Sequence, residues 1–135
     1  MIGKVTISPD VVREVARENF GLIYEPSNLI VCSQDYGLKT IRALAPHLFN
    51  VYLQNMWFHA AGKSTIETWI NGPVTYDLVP FGDSRGVDLK AVFGALAEVG
   101  YDGFVTVHHN VANETDIATG VRNITAYLRS VASFE

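Results

Sequence analysis

A chain of 135 residues with 48% hydrophobic and 18% charged residues has the size and make-up of one packed domain spanning 1–135, which argues against disorder. Its net charge of −4 comes with no basic cluster, so nucleic-acid binding by phosphate neutralisation is not expected. The single cysteine, Cys32, the lack of a signal-peptide pattern, and the absence of any apolar run of roughly 18 residues predict a cytoplasmic protein without membrane contact.

Residues 2–7 read as a short strand or a tail. Ser8-Pro9-Asp10 is a helix start, and Val11, Val12, Val15 and Ala16 recur at helical spacing, predicting a helix over 9–18. Residues 21–25 form an apolar strand stopped by Pro26, and 26–34 read as loop. Asp35 caps a predicted helix over 36–45 that Pro46 closes. Residues 50–55, Asn-Val-Tyr-Leu-Gln-Asn, predict the next strand.

The segment 56–85 reads as a long loop of the kind that carries function or small elements of its own. Within it 65–70 and 74–79 flank Asn71-Gly72-Pro73 and predict a hairpin. Asp88 caps a helix over 88–99 ended by Gly100, and 104–108 is a β-branched strand. Glu114-Thr-Asp116 opens a last helix whose Ile117, Val121, Ile124, Leu128 and Val131 make a stripe that needs apolar cover. Short apolar strands alternating with helices argue for an α/β fold with a parallel sheet, either open or part of a closed barrel.

In such a sheet the site lies at the C-terminal strand ends. Glu25 and Asn28, then Gln54, Asn55 and His59, then His108, His109 and Asn110 fall there. Carboxylate and imidazole groups on one rim are the donors a divalent cation takes; the plainer alternative is that these residues end strands and bond loop backbone. His108 and His109 point to opposite faces if the strand persists, so one of them serves a given site. Cys32 has no neighbouring His or Lys and reads as a small buried residue, and His47 as a surface one.

Gly62-Lys63-Ser64-Thr65 echoes the end of a phosphate loop, but Trp57 stands where the motif needs its first glycine, so it is not taken as a nucleotide site. Gly82-Asp-Ser-Arg-Gly86 could meet a hydroxylated or anionic ligand through backbone N–H groups and Arg85; otherwise it is a turn that positions Asp88.

Three stretches together resemble one family. Val79-Pro-Phe-Gly-Asp-Ser-Arg-Gly-Val-Asp88 followed by Leu96-Ala-Glu-Val-Gly-Tyr-Asp-Gly-Phe-Val-Thr-Val107 is similar to the approach to the last helix in the xylose isomerase-like barrels, the sugar phosphate isomerases and epimerases. Phe20-Gly-Leu-Ile-Tyr-Glu-Pro-Ser-Asn-Leu29 resembles their sixth strand, and residues 50–55 their seventh. The resemblance covers nearly the whole chain and implies the C-terminal half of a TIM barrel, whose full form runs to about 250 residues.

It further implies isomerisation or epimerisation of a carbohydrate or hydroxy-keto compound with a divalent metal, Mn, Mg or Zn. Glu25 and His108 would be the catalytic and metal-binding pair, and Asn28, Gln54, Asn55, His59 and Arg85 would hold a sugar-like substrate. The family's ligand pattern is altered here. Glu25 and Asn28 stand for an Asp and a His, Tyr52 for a His, and His108 for a Glu. A non-catalytic binding or structural remnant is the alternative, with an endonuclease IV-like enzyme as a third reading. A half barrel leaves sheet edges uncovered, so a homodimer or association with a complementary half barrel is expected.

Overall fold

The structure, a computed structural model, describes residues 8–108 and 116–134. The expectations for 2–7, His109, Asn110 and Glu114 lie outside the described residues.

Two sheets organise the chain. The first is parallel, in the order β1 (Leu22–Tyr24), β2 (Leu48–Leu53), β6 (Phe104–Val107). Helices α1 (Ser8–Val15), α3 (Leu38–Leu44), α4 (Leu89–Glu98) and α5 (Ile117–Val131) alternate with these strands, and a short α2 (Pro26–Val31) follows β1 directly. Consecutive strands of this sheet are nearest neighbours and the helices pack in a row, α1 on α3, α3 on α4, α4 on α5. This is the α/β parallel-sheet architecture that the alternation predicted, and it is consistent with the partial barrel that the resemblance implied.

The core forms where the strands' helix-facing side chains meet the helices. Tyr24, Val51 and Leu53 pack with Ile41, Leu44, Leu89, Val92, Phe93 and Leu96, and Val105 joins from β6. Burial of each aliphatic side chain stabilises the fold by roughly 1.5–3 kcal/mol. Strand alternation then sends Ile23, Asn50, Tyr52, Phe104 and Thr106 to the opposite face. Register shifts between Leu22 and Ile23, where Phe49 is skipped. There Phe49 lies so close to Gly21 that a Cβ would come within 2.3 Å of the ring, so glycine is required for this approach.

The second sheet is the antiparallel order β3 (Met56–Phe58), β5 (Gly72–Leu78), β4 (Ser64–Thr68). It is inserted between β2 and α4. The hairpin around Asn71-Gly72 is present, with Gly72 in the left-handed region at φ 66°. Expecting loop throughout the rest of 56–85 missed β3, which pairs with β5.

Other boundaries differ for local reasons. Residues 26–31 form α2 rather than loop, because Pro26 is a good first helical residue as well as a strand stop. Helix α1 ends at Val15, where Ala16 turns left-handed at φ 47°. Strand β2 runs 48–53 rather than 50–55, since Gln54 and Asn55 turn to other partners. Gly37, not Asp35, is the N-cap of α3; the Asp35 carboxylate instead bonds the Thr40 hydroxyl at 2.7 Å.

Asp88 caps α4 through the Ala91 N–H at 3.0 Å as expected, and Asp116 caps α5 through that of Thr119 at 2.7 Å. His47, expected on the surface, is half-buried in a 3-10 turn, Ala45–His47. Cys32 is buried, and burial pushes its thiol up from the ordinary value. The stripe on α5 is only partly covered: Leu128 is buried, but Ile117 and Val121 are exposed.

Candidate functional site

The C-terminal ends of the three parallel strands place Glu25, Gln54 and His108 side by side in strand order. Glu25 is where β1 stops and α2 starts, with extended backbone at φ −134° as the N-cap of α2. Its two carboxylate oxygens accept from two amides, Gln54 Nε2 on Oε1 and Asn28 Nδ2 on Oε2, each at 2.5 Å. Asn28 reaches this position because it lies one turn into α2, three residues beyond Glu25. The buried Ser27 hydroxyl donates to the Gln54 carbonyl at 3.1 Å and ties α2 to the end of β2. Three of the expected residues therefore form one hydrogen-bonded cluster.

His108 continues the β2–β6 register, its N–H bonding the Leu53 carbonyl at 3.0 Å. Its side chain is exposed and meets the Tyr52 ring edge-on, with centroids 6.2 Å apart. Below it the Asn50 amide and Thr106 hydroxyl bond across the strands at 3.2 Å. The barrel-interior face of the sheet is thus polar toward its C-terminal end.

Asn55 sits in a different role. It is fully buried, its Nδ2 donates to the Pro80 carbonyl at 2.6 Å, and its Oδ1 accepts the Val87 N–H at 2.7 Å. Its backbone carbonyl takes the Val79 N–H at 2.9 Å. It therefore closes the 80–87 loop onto the end of β2.

His59 and Arg85 belong to a second cluster on the antiparallel insert, centred on Trp57. The His59 ring stacks on Trp57 with centroids 3.7 Å apart, and the Arg85 guanidinium lies 4.6 Å from the indole centroid. His59 Nε2 is 2.8 Å from Asp77 Oδ2. This contact and the Lys63 N–H hold the Asp77 carboxyl below its ordinary range. Arg85 grips Asp83 through Nε and Nη2, the latter at 2.6 Å, and lowers the Asp83 carboxyl to about 2. With its charge matched by Asp83, Arg85 offers little net attraction for an anion.

Trp57, Asp77 and Asp83 were not singled out from the sequence. Trp57 and His59 two apart share one strand face, which would have signalled the pair had residues 56–58 been recognised as a strand. Gly62 of the rejected phosphate-loop motif packs instead on the Tyr76 backbone, and Ser64 opens β4.

A divalent cation would need donors converging on one point. Among the described residues no group of three or more His, Cys, Asp or Glu side chains could hold a metal ion. Glu25 is flanked by amides, and Glu25 with His108 is a two-ligand set. The described residues thus do not fit the metal that the family resemblance implies.

No family model matches this chain, and no curated protein does. The fold does have counterparts among solved structures. A xylose isomerase domain protein from Planctomyces limnophilus superposes with a TM-score of 0.66 at 16% identity, over 96% of this chain and 45% of that one. The chain thus spans less than half the length of this neighbour, and the likeness is one of fold.

Proposed function

We propose that the chain binds a carbohydrate or a related hydroxy-keto compound at the C-terminal rim of its parallel sheet and acts on it as sugar isomerases and epimerases do. The observation that carries this reading is the Glu25 carboxylate held at that rim between Gln54 and Asn28, 2.5 Å from each. An oriented carboxylate accepts hydrogen bonds from sugar hydroxyls, and it can take the proton from a carbon next to a carbonyl.

In that step the C–H bond breaks and its proton passes to Glu25. The electron pair forms the enediolate double bond, and the carbonyl oxygen becomes the anion. Isomerisation then needs two transfers: the proton of the adjacent hydroxyl moves to that anionic oxygen, a transfer His108 could relay, and Glu25 gives its proton to the former carbonyl carbon as the neighbouring C–O becomes the new carbonyl. Epimerisation instead re-forms the original carbonyl while a solvent-derived proton is added to the other face of the same carbon. His108, two strands along from Glu25, is the candidate donor to the developing oxyanion. Asn28 and Gln54 orient the base and present amides to hydroxyls. Asn55 shapes the loop beside the rim, and His59 and Arg85 with Trp57 offer an aromatic and polar surface for the far end of the ligand. The fold of the xylose isomerase domain neighbour supports the class of reaction. No step is routed through a metal, because the donor set does not suit one.

A second reading, binding without chemistry, is favoured by one observation: both Glu25 oxygens are already engaged by amides. Incubation of aldoses, ketoses and their phosphates in D2O separates the two. Protein-dependent deuterium incorporation next to the carbonyl, lost in Glu25→Gln, supports catalysis. Ligand-observed NMR binding that Glu25→Gln abolishes, with no deuterium incorporation, supports the binding reading. Neither signal from the panel overturns both.

A further inference from the structure

We propose that two copies of this chain associate head to tail about an axis parallel to the strands, so that β6 of each pairs with β1 of the other and α5 of each packs on α1 of the other. Among the described residues both layers of the fold end open. The sheet runs β1-β2-β6 and the helices run α1-α3-α4-α5, so β1 with α1 forms one flank and β6 with α5 the other. Each flank bares apolar side chains at helical spacing. On α1 these are Val11 and Val15, 43% and 39% exposed; on α5 they are Ile117 and Val121, 73% and 54% exposed. The sheet's interior face adds Ile23 on β1 and Phe104 on β6, 57% and 80% exposed. Surfaces of this kind on sheet edges pair with another chain.

Two features point to a second copy as the occupant. The flanks are unlike, and all strands are parallel, so rotation about the strand direction brings a β6 edge to a β1 edge with parallel polarity and satisfies both flanks at once. Charge favours the same pairing. Helix α5 carries Arg122 and Arg129 with no acidic residue, while α1 carries Asp10 and Glu14 against Arg13. An α5–α5 seam would set like charges together, and an α5–α1 seam sets unlike ones together.

Light scattering on the whole chain should give twice the single-chain mass of 14.9 kDa. Val121→Glu, at an exposed position, should keep the circular dichroism spectrum and weaken the dimer by about ten-fold or more. The seam is tested by mixing Val11→Cys with Val121→Cys chains under mild oxidation, the native Cys32 being buried. Head-to-tail pairing gives mainly the mixed disulfide. A monomer across the accessible concentration range overturns the proposal. So does a dimer in which Val121→Cys links chiefly to itself, or one whose stability Val121→Glu leaves unchanged.

Discussion

The side-chain oxygen of Asn55 accepts the backbone N–H of Val87 at 2.7 Å, so a residue just past β2 fixes the chain 32 positions later as it enters α4. Both groups are buried, and Gly86 leaves the space: a Cβ there would lie 2.0 Å from Asn55 Oδ1. Asn55→Ala should lower unfolding free energy by about 2–4 kcal/mol in urea titrations, because it strands the buried Val87 N–H, leaves a cavity and removes one of the two donors to the Pro80 carbonyl, which keeps the Asp83 N–H. Asn55→Asp keeps the acceptor for Val87 but sets a carboxylate against the Pro80 oxygen. It should recover part of the loss below the carboxylate range, where the acid can donate, and little of it at neutral pH.

Gly62 abuts the second sheet's backbone, and a Cβ there would fall 2.3 Å from the Tyr76 nitrogen. A main-chain atom inside a paired strand cannot step aside as a side-chain tip can. Gly62→Ala should therefore loosen the insert selectively. Amide exchange in β4 and β5 should quicken, while β2 amides, buried in the other sheet, keep their protection.

Acid titration has a defined sign at Asp83. Its folded value of about 2 lies below the ordinary 3.8, so the Arg85 pairing contributes stability that is fully present above 3.8. That contribution is lost as pH falls from 3.8 through about 2. Carboxyl NMR should find the Asp83 midpoint near 2, and Arg85→Met should return it toward 3.8 and remove this part of the acid response.

Tyr24 is buried in the core, and its hydroxyl donates to the Tyr36 carbonyl at 2.5 Å. Burial, aided by Tyr36 and Asp35, pushes this phenol well above the usual tyrosine range. Tyr24→Phe keeps the ring packing and leaves one carbonyl short of a donor, so a loss of about 1–2 kcal/mol is expected in the same urea assay.

The parallel sheet was legible because Val51 and Leu53, or Val105 and Val107, are β-branched or aliphatic residues at strand spacing, and because helical repeats separate the strands, two of them marked by the capping residues Asp88 and Asp116. Strand β3 was not, since Met56-Trp57-Phe58 begins two residues after β2 ends and has no turn residue to announce it. Pro26 carries two meanings, strand stop and helix start, and only the neighbouring packing decides between them.

The strand-end rule located the cluster of Glu25, Asn28 and Gln54. It could not foresee that His59 and Arg85 would gather around Trp57, because their partners Asp77 and Asp83 come from the insert. The stripe on α5 told that an apolar face exists; periodicity carries no information on what covers Ile117.

Glu25 ends one element and begins another, and Ser27, two residues on, is fastened to the neighbouring strand. The rim carboxylate therefore rides on no free loop. Its backbone is set by β1, its orientation by α2, and its lateral position by β2. A ligand arriving there meets a group whose torsional freedom is already spent in folding, so little ordering entropy is left for complex formation to supply. For the proposed carbohydrate ligand, recognition at this rim would be governed by how well hydroxyls can replace two amides, a matter of hydrogen-bond exchange rather than of loop closure.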